Sequence, residues 1–245
     1  MNNQLTVIIP TSPIPSHPST EILDETIKNI RNFTDAQIII CFDGVHSSLS
    51  HREKDYAQYL KLVGTKMMNG FYGDCKAAMF PEHTHQAEMV RTVLKAVTTP
   101  LIFFVEHDTY IKGDIPFQEI CDYVEKDEVV NYIRFNIFSH ILEEHRYLML
   151  FDSPQPEHPM PLTATIQYSA RPNIAKADWY RNILTKYFPA GSKEMIEDRF
   201  HGVVIDSFKE LKRDIFGMYI YTPPGDQLRS FHSDGRQGDE KIIQA

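Results

Sequence analysis

Pro100 is followed by five consecutive apolar residues, Leu101 to Val105, and the run stops abruptly at Glu106-His107-Asp108. A strand with no polar alternation has both faces covered, as in a parallel sheet between layers of helices. The carboxyl ends of such strands are where open α/β sheets place their ligands. Two carboxylates and an imidazole at that end mark either a solvated strand cap or a site.

The preceding chain supplies the rest of such a sheet. Leu5 to Pro10 is a short apolar strand, and TSPIPSHPST after it is too rich in Pro and Ser to be anything but loop. A helix opens near Ser19 or Thr20, with Ile22, Leu23, Thr26, Ile27 and Ile30 at helical spacing and acidic residues in its first turns. AQIIICFDG, residues 36–44, is the next strand, ended by the turn dipeptide Asp43-Gly44. Strand, helix and strand make a βαβ unit, right-handed by default. Residues 46–63 read as a polar-faced helix, and 66–75 as a short strand or loop. Ala87, Val90, Val93, Leu94 and Val97 form a helical stripe over 84–98 that feeds into Leu101 to Val105.

Beyond Ile111 the pattern predicts a helix at 115–125, strands at 129–138 and 147–151, and a Pro-rich loop at 152–161. A strand at 163–168 follows. A loop then runs into a helix with Asp178 as cap and Trp179 buried, followed by a helix at 195–208 and a last strand at 218–224. The expected fold class is α/β: one domain with a mostly parallel central sheet flanked by helices. About residues 1–111 form a Rossmann-like nucleotide-binding half, and about 112–245 an acceptor half ending in a C-terminal loop. No internal repeat and no long linker divides them.

Composition narrows the partners. With 33 acidic against 25 basic residues and a net charge of -8, the balance disfavours nucleic acid as a partner, because a phosphate backbone is normally met by a basic face. Apolar residues make up 42% and no window approaches a membrane span, so no integral membrane segment and no signal peptide are expected. Three widely spaced cysteines, Cys41, Cys75 and Cys121, with no CxxC pattern, suit unpaired thiols in a reducing compartment such as the cytoplasm.

A cation that holds a diphosphate needs few, hard protein ligands, because phosphates and water complete its shell; Mg²⁺ and Mn²⁺ are the natural choices. Glu106 and Asp108, two residues apart, fall on one face of a regular strand, and His107 on the other. The whole order of elements, a Pro-rich loop after strand one, a strand ending in Asp-Gly, a helix carrying Arg91, and an apolar strand ending in acid-x-acid, resembles the family 2 type glycosyltransferases of the GT-A fold. EHD stands where that family has DxD. The resemblance covers nearly the whole chain in order of elements, and its strongest single motif is short.

The resemblance implies a nucleoside diphosphate sugar as donor, Mn²⁺ or Mg²⁺ as cofactor, and a glycan, protein or lipid-linked acceptor. It places Thr11, Pro13 and Ser16 near the nucleoside, Asp43 on the base or ribose, and Arg91 and Arg236 toward the nucleotide and its diphosphate. Glu106 and His107 lie on the nucleotide side, with Asp108 and His232 as metal ligands. The IEDR stretch is similar to the family's xED element, which makes Asp198 the first choice of catalytic base and Glu197 the second. An inverting transfer needs such a carboxylate to take the acceptor hydroxyl's proton. Two other enzyme sites and a non-catalytic role compete. A nucleotidyltransferase also gathers carboxylates at strand ends, but would have a Gly-rich, basic loop after strand one. His83, His85 and Glu88 could belong to a zinc site, and a nucleotide- or glycan-binding module could have kept the fold without activity.

Overall fold

In a computed structural model that describes residues 4–233, the chain builds one eight-stranded sheet and a two-stranded ribbon. The first half contributes β1 (Leu5–Thr11), α1 (Glu21–Arg31), β2 (Gln37–Phe42), α2 (Glu53–Met68), β3 (Cys75–Met79), α3 (His85–Leu94), β4 (Leu101–Phe104) and β5 (Thr109–Ile111). The second contributes α4 (Phe117–Lys126), β6 (Tyr132–Arg134), β7 (Leu162–Ala164), β8 (Asn173–Lys176), α5 (Ala177–Tyr187), α6 (Ile196–Leu211), β9 (Met218–Tyr221) and β10 (Ser230–His232). Strand order is β3-β2-β1-β4-β8-β6-β9-β7, and only β8 and β7 run against the others.

The apolar runs divide by twos between the faces of this sheet. Val7, Ile9, Leu101, Phe103 and Val105 face a core with α1, α2 and α4, whereas Ile8, Ile102 and Phe104 face a second core with α3, α5 and α6. Both faces are buried, which is why β1 and β4 show no polar alternation.

Four expectations change. Residues 147–151 are not a strand: a 3-10 turn runs over Glu143–Leu148, leaving one isolated bridge from Met149 to Thr165. Leu148 is buried while Tyr147 and Phe151 are exposed, so the apolar run has no consistent inward face. β8, read as loop, lies at the sheet centre; its four residues pair antiparallel with both β4 and β6. Lys176, not Asp178, caps α5, and Asp178 pairs with Arg181 inside the first turn. Trp179 is half-buried, packed on Tyr132, Tyr180 and Phe200. No helix among the described residues is long and apolar enough to cross a membrane.

Candidate active site

The sheet reverses its order of construction at β1. From β1 the chain moves out through α1 to β2 and β3, then returns through α3 on the opposite face to β4, on the other side of β1. The loops after β1 and β4 therefore part, and a crevice opens at the carboxyl ends of the strands. It holds a cavity of about 460 Å³ lined by the loop after β1, the ends of β2 and β4, the start of α3, Met195 and His232.

Glu106, His107 and Asp108 form the turn between β4 and β5. β5 pairs antiparallel with β10, setting His232 opposite Thr109. That register brings the His232 Nε2 within 3.1 Å of the Asp108 Oδ2, across 124 residues of sequence. The Ser233 amide and hydroxyl donate to the Asp108 carbonyl at 2.7 and 3.1 Å, fixing the ribbon to the turn. His107 is buried and lines the cavity, with its carbonyl accepting from the Thr26 hydroxyl at 2.9 Å.

Glu106 opens a narrow face to the cavity from densely packed surroundings. Burial pushes its carboxyl up to about 8, the negative charges of Asp108 and Glu197 push the same way, and His232 partly offsets them. Its Oε1 accepts from the Gln86 side-chain amide at 2.8 Å, and the Gln86 carbonyl oxygen accepts from the Ile196 amide, at the start of α6, at 3.0 Å. One buried amide thus joins the β4 turn to the helix that carries Glu197 and Asp198. Its signal was present in the sequence: Gln86 sits four residues before Val90, a polar group on the apolar stripe of α3.

Asp43, just after β2, borders the cavity while its carboxylate also holds the loop before α3. Its side chain is only 2% exposed. Oδ1 accepts from the Gly44 and Thr84 amides at 2.9 and 2.6 Å, and Oδ2 accepts from the His85 amide at 3.0 Å. The same Oδ2 lies 3.0 Å from the His83 Nδ1. Asp43 therefore binds the loop before α3. Gly44 is more than a turn residue: a Cβ there would lie 2.2 Å from the Glu82 carbonyl carbon and 2.5 Å from the His83 nitrogen, so only glycine lets this loop close on β2.

Thr11 and Pro13 line the cavity. Ser16 does not; it is exposed in the turn over 15–18. Arg91 is also elsewhere, donating to Glu88 Oε2 (2.7 Å) and to the carbonyls of Leu184, Phe188 and Pro189 (2.7, 2.8 and 2.9 Å). It ties α3 to the end of α5 and does not border the cavity. Arg236 lies outside the described residues. Glu88 faces Arg91 and the Gly191 amide, so the zinc reading with His83 and His85 loses its carboxylate.

Glu197 and Asp198 open α6 but do not line the cavity. Glu197 Oε2 accepts from the Ser169 hydroxyl at 3.0 Å and the Ala170 amide at 2.8 Å. Asp198 is exposed, and its charge reaches His85 in the cavity wall. His46, His83 and Gln86 are cavity residues to which the sequence reading gave no nucleotide role.

The fold is that of the GT-A glycosyltransferases, an architecture that sugar-nucleotide nucleotidyltransferases share. The chain is similar to the mannosyltransferase PcManGT from Pyrobaculum calidifontis in complex with GDP-Man and Mn²⁺, with 12% identity and TM-score 0.55 over 90% of this chain and 57% of that one. It is similar to GalNAc-T7 with UDP, GalNAc and Mn²⁺, with 9% identity and TM-score 0.57 over 94% of this chain and 43% of that one. The chain thus spans about half the length of these two proteins. A Bacillus anthracis protein assigned as a glucose-1-phosphate thymidylyltransferase, in complex with sucrose, matches at 8% identity and TM-score 0.52 over 98% of this chain and 93% of that one. No protein-family model and no curated protein sequence matches the chain.

Proposed function

We propose that the protein transfers a sugar from a nucleoside diphosphate sugar to an acceptor hydroxyl, with a divalent cation and inversion at the anomeric carbon. The observation that carries this reading is the meeting of the Asp108 carboxylate and the His232 imidazole, 3.1 Å apart, beside Glu106 at the carboxyl end of the sheet. One carboxylate and one imidazole suit a cation that takes its other ligands from a diphosphate and water, and the imidazole favours Mn²⁺ over Mg²⁺. When bound, the cation offsets negative charge on the diphosphate. Two of the similar structures contain Mn²⁺ beside a nucleotide sugar or its components.

In this reading Thr11 and Pro13 wall the nucleoside, and Glu106 receives the ribose. Asp198 takes the acceptor hydroxyl's proton as that oxygen attacks the anomeric carbon and the diphosphate leaves. Asp198 is preferred to Glu197 because Glu197 is committed to the strap at Ser169 and Ala170. The acceptor, a glycan, a protein or a lipid-linked sugar, arrives from the exposed side of α6. Three unpaired thiols suit a reducing compartment, the cytoplasm.

A structure assigned as a thymidylyltransferase is among those similar to the chain, which makes nucleotidyl transfer the second reading. A nucleoside triphosphate is more highly charged than a diphosphate sugar, yet no Lys or Arg lines the described cavity. Calorimetric titration of UDP, GDP and dTDP, with and without Mn²⁺, tests the proposal. Manganese-dependent binding of one of them that weakens at least ~10-fold in Asp108→Ala is expected. Binding of a nucleoside triphosphate that is insensitive to that substitution would overturn it. Donor binding without turnover would leave a binding module.

A further inference from the structure

β5 and β10 hold three residues each, and a two-stranded ribbon that short is marginal in water. Its register matters, because a slip by one residue turns every side chain of a strand to the opposite face. Thr109 would then stand opposite Phe231 or Ser233, and the His232 imidazole would leave the Asp108 carboxylate. The hold on β10 has to come from outside the ribbon.

The chain just before β10 runs antiparallel beside residues 137–139, with a bridge between Phe138 and Leu228. The Arg229 amide donates to the Ile137 carbonyl at 2.7 Å, and the Ser139 amide to the Gln227 carbonyl at 3.0 Å. Backbone bonds of this kind can re-form after a slip, since one peptide unit replaces another; bonds from a side chain cannot. Ser139, only 1% exposed, adds two of the second kind: its hydroxyl donates to the Gly225 carbonyl and accepts from the Gln227 amide at 3.3 Å. One hydroxyl thus spans residues 225 and 227, where Gly225 turns the chain at φ +101°. Leu228 lies four residues before His232, about 13 Å in an extended chain. Two further bonds hold this strap, from the Arg229 guanidinium to the Asp114 carbonyl at 2.7 Å and from the Ser233 hydroxyl to the Asp108 carbonyl at 3.1 Å. Of the three anchoring side chains, Ser139 is the one that brings in a separate part of the chain, the segment after β6.

We propose that Ser139 is a positioning residue for the cation site: it fixes the register of β10 and so sets the His232 imidazole on Asp108. The functional part of this rests on the cation reading above, whereas the register part stands on the hydrogen bonds alone. The segment after β6 thereby governs a metal ligand that belongs to another part of the chain.

Two measurements on Ser139→Ala test it. In hydrogen exchange, the amides of Lys112 and Ser233 are bonded to the Arg229 and Asp108 carbonyls. Both are expected to exchange at least ~5-fold faster in the variant, although neither is bonded to Ser139. Faster exchange confined to Gln227 overturns the register role. In the wild type the amides of Gln227, Lys112 and Ser233 should open as one unit. Three unrelated opening rates overturn the role as well, so the answer does not depend on how well the variant folds. Calorimetry of UDP, GDP and dTDP, with and without Mn²⁺, addresses the functional part. Ser139→Ala should weaken the manganese-dependent binding ~3- to 10-fold and have no further effect in a His232→Ala background. Equal weakening in both backgrounds overturns the action through His232. If no nucleotide binds the wild type with Mn²⁺, or His232→Ala binds as well as the wild type, the cation reading falls while hydrogen exchange still decides the role of Ser139.

Discussion

Arg91 illustrates how a residue type alone misleads. A helix-borne Arg near a nucleotide fold invites a phosphate-binding role, yet its guanidinium is spent on three carbonyls at the end of α5 and on Glu88. Arg91→Met removes the partner of these part-buried acceptors and is expected to cost about 1–3 kcal/mol of stability while leaving nucleotide affinity unchanged. Urea denaturation beside calorimetry separates the two effects, and a large loss of affinity at full stability would return Arg91 to the site. Gln86 behaves in the opposite way: it looks like one polar residue on a helix, yet its amide is bonded at both ends inside the site.

At the scale of elements, Gln86 is the joint between the turn after β4 and the start of α6. Gln86→Leu strips the Glu106 carboxyl and the Ile196 amide of their partner, so a loss of about 2–4 kcal/mol is expected in denaturant melts. Hydrogen exchange should place the loosening in the first turn of α6; unchanged protection there would refute the joint. The β5–β10 ribbon is the other decisive element. It is only three residues long on each side, and it carries His232 from the far end of the described chain to Asp108. Neither strand has enough sequence to announce itself, and the pairing is non-local.

For the whole molecule, the loop after β1 ties its geometry to pH. His17 is buried, stacked on Tyr59 at 3.9 Å and beside Tyr56, and burial, reinforced by His107 and Arg52, lowers its imidazole from 6.5 to about 3. The unfolded chain takes up a proton near pH 6.5 that the folded chain refuses until near pH 3. This part of the stability is full above pH 6.5 and is lost as the pH falls toward 3. Between pH 7 and 4.5 the loss should be about 2–3 kcal/mol. Stability curves of the wild type and His17→Phe check it: the difference between them should change by that amount over the interval, and parallel curves would show that His17 is not responsible.

The helical stripes, the βαβ opening, the doubly buried strands β1 and β4 and the acid-rich turn after β4 were legible because each is a local pattern of 4 to 16 residues with a fixed period. The composition alone set the net charge against a nucleic-acid partner. Tertiary structure decided what no period encodes. It inserted β8 between β4 and β6, turned Arg91 away from the crevice, engaged the Asp43 carboxylate with the loop before α3, and set His232 on Asp108. These are contacts between segments 40 to 124 residues apart, in which one hydrogen-bond partner displaces another. Sequence determines which groups a strand end carries; burial and pairing across the fold determine which of them a ligand can touch.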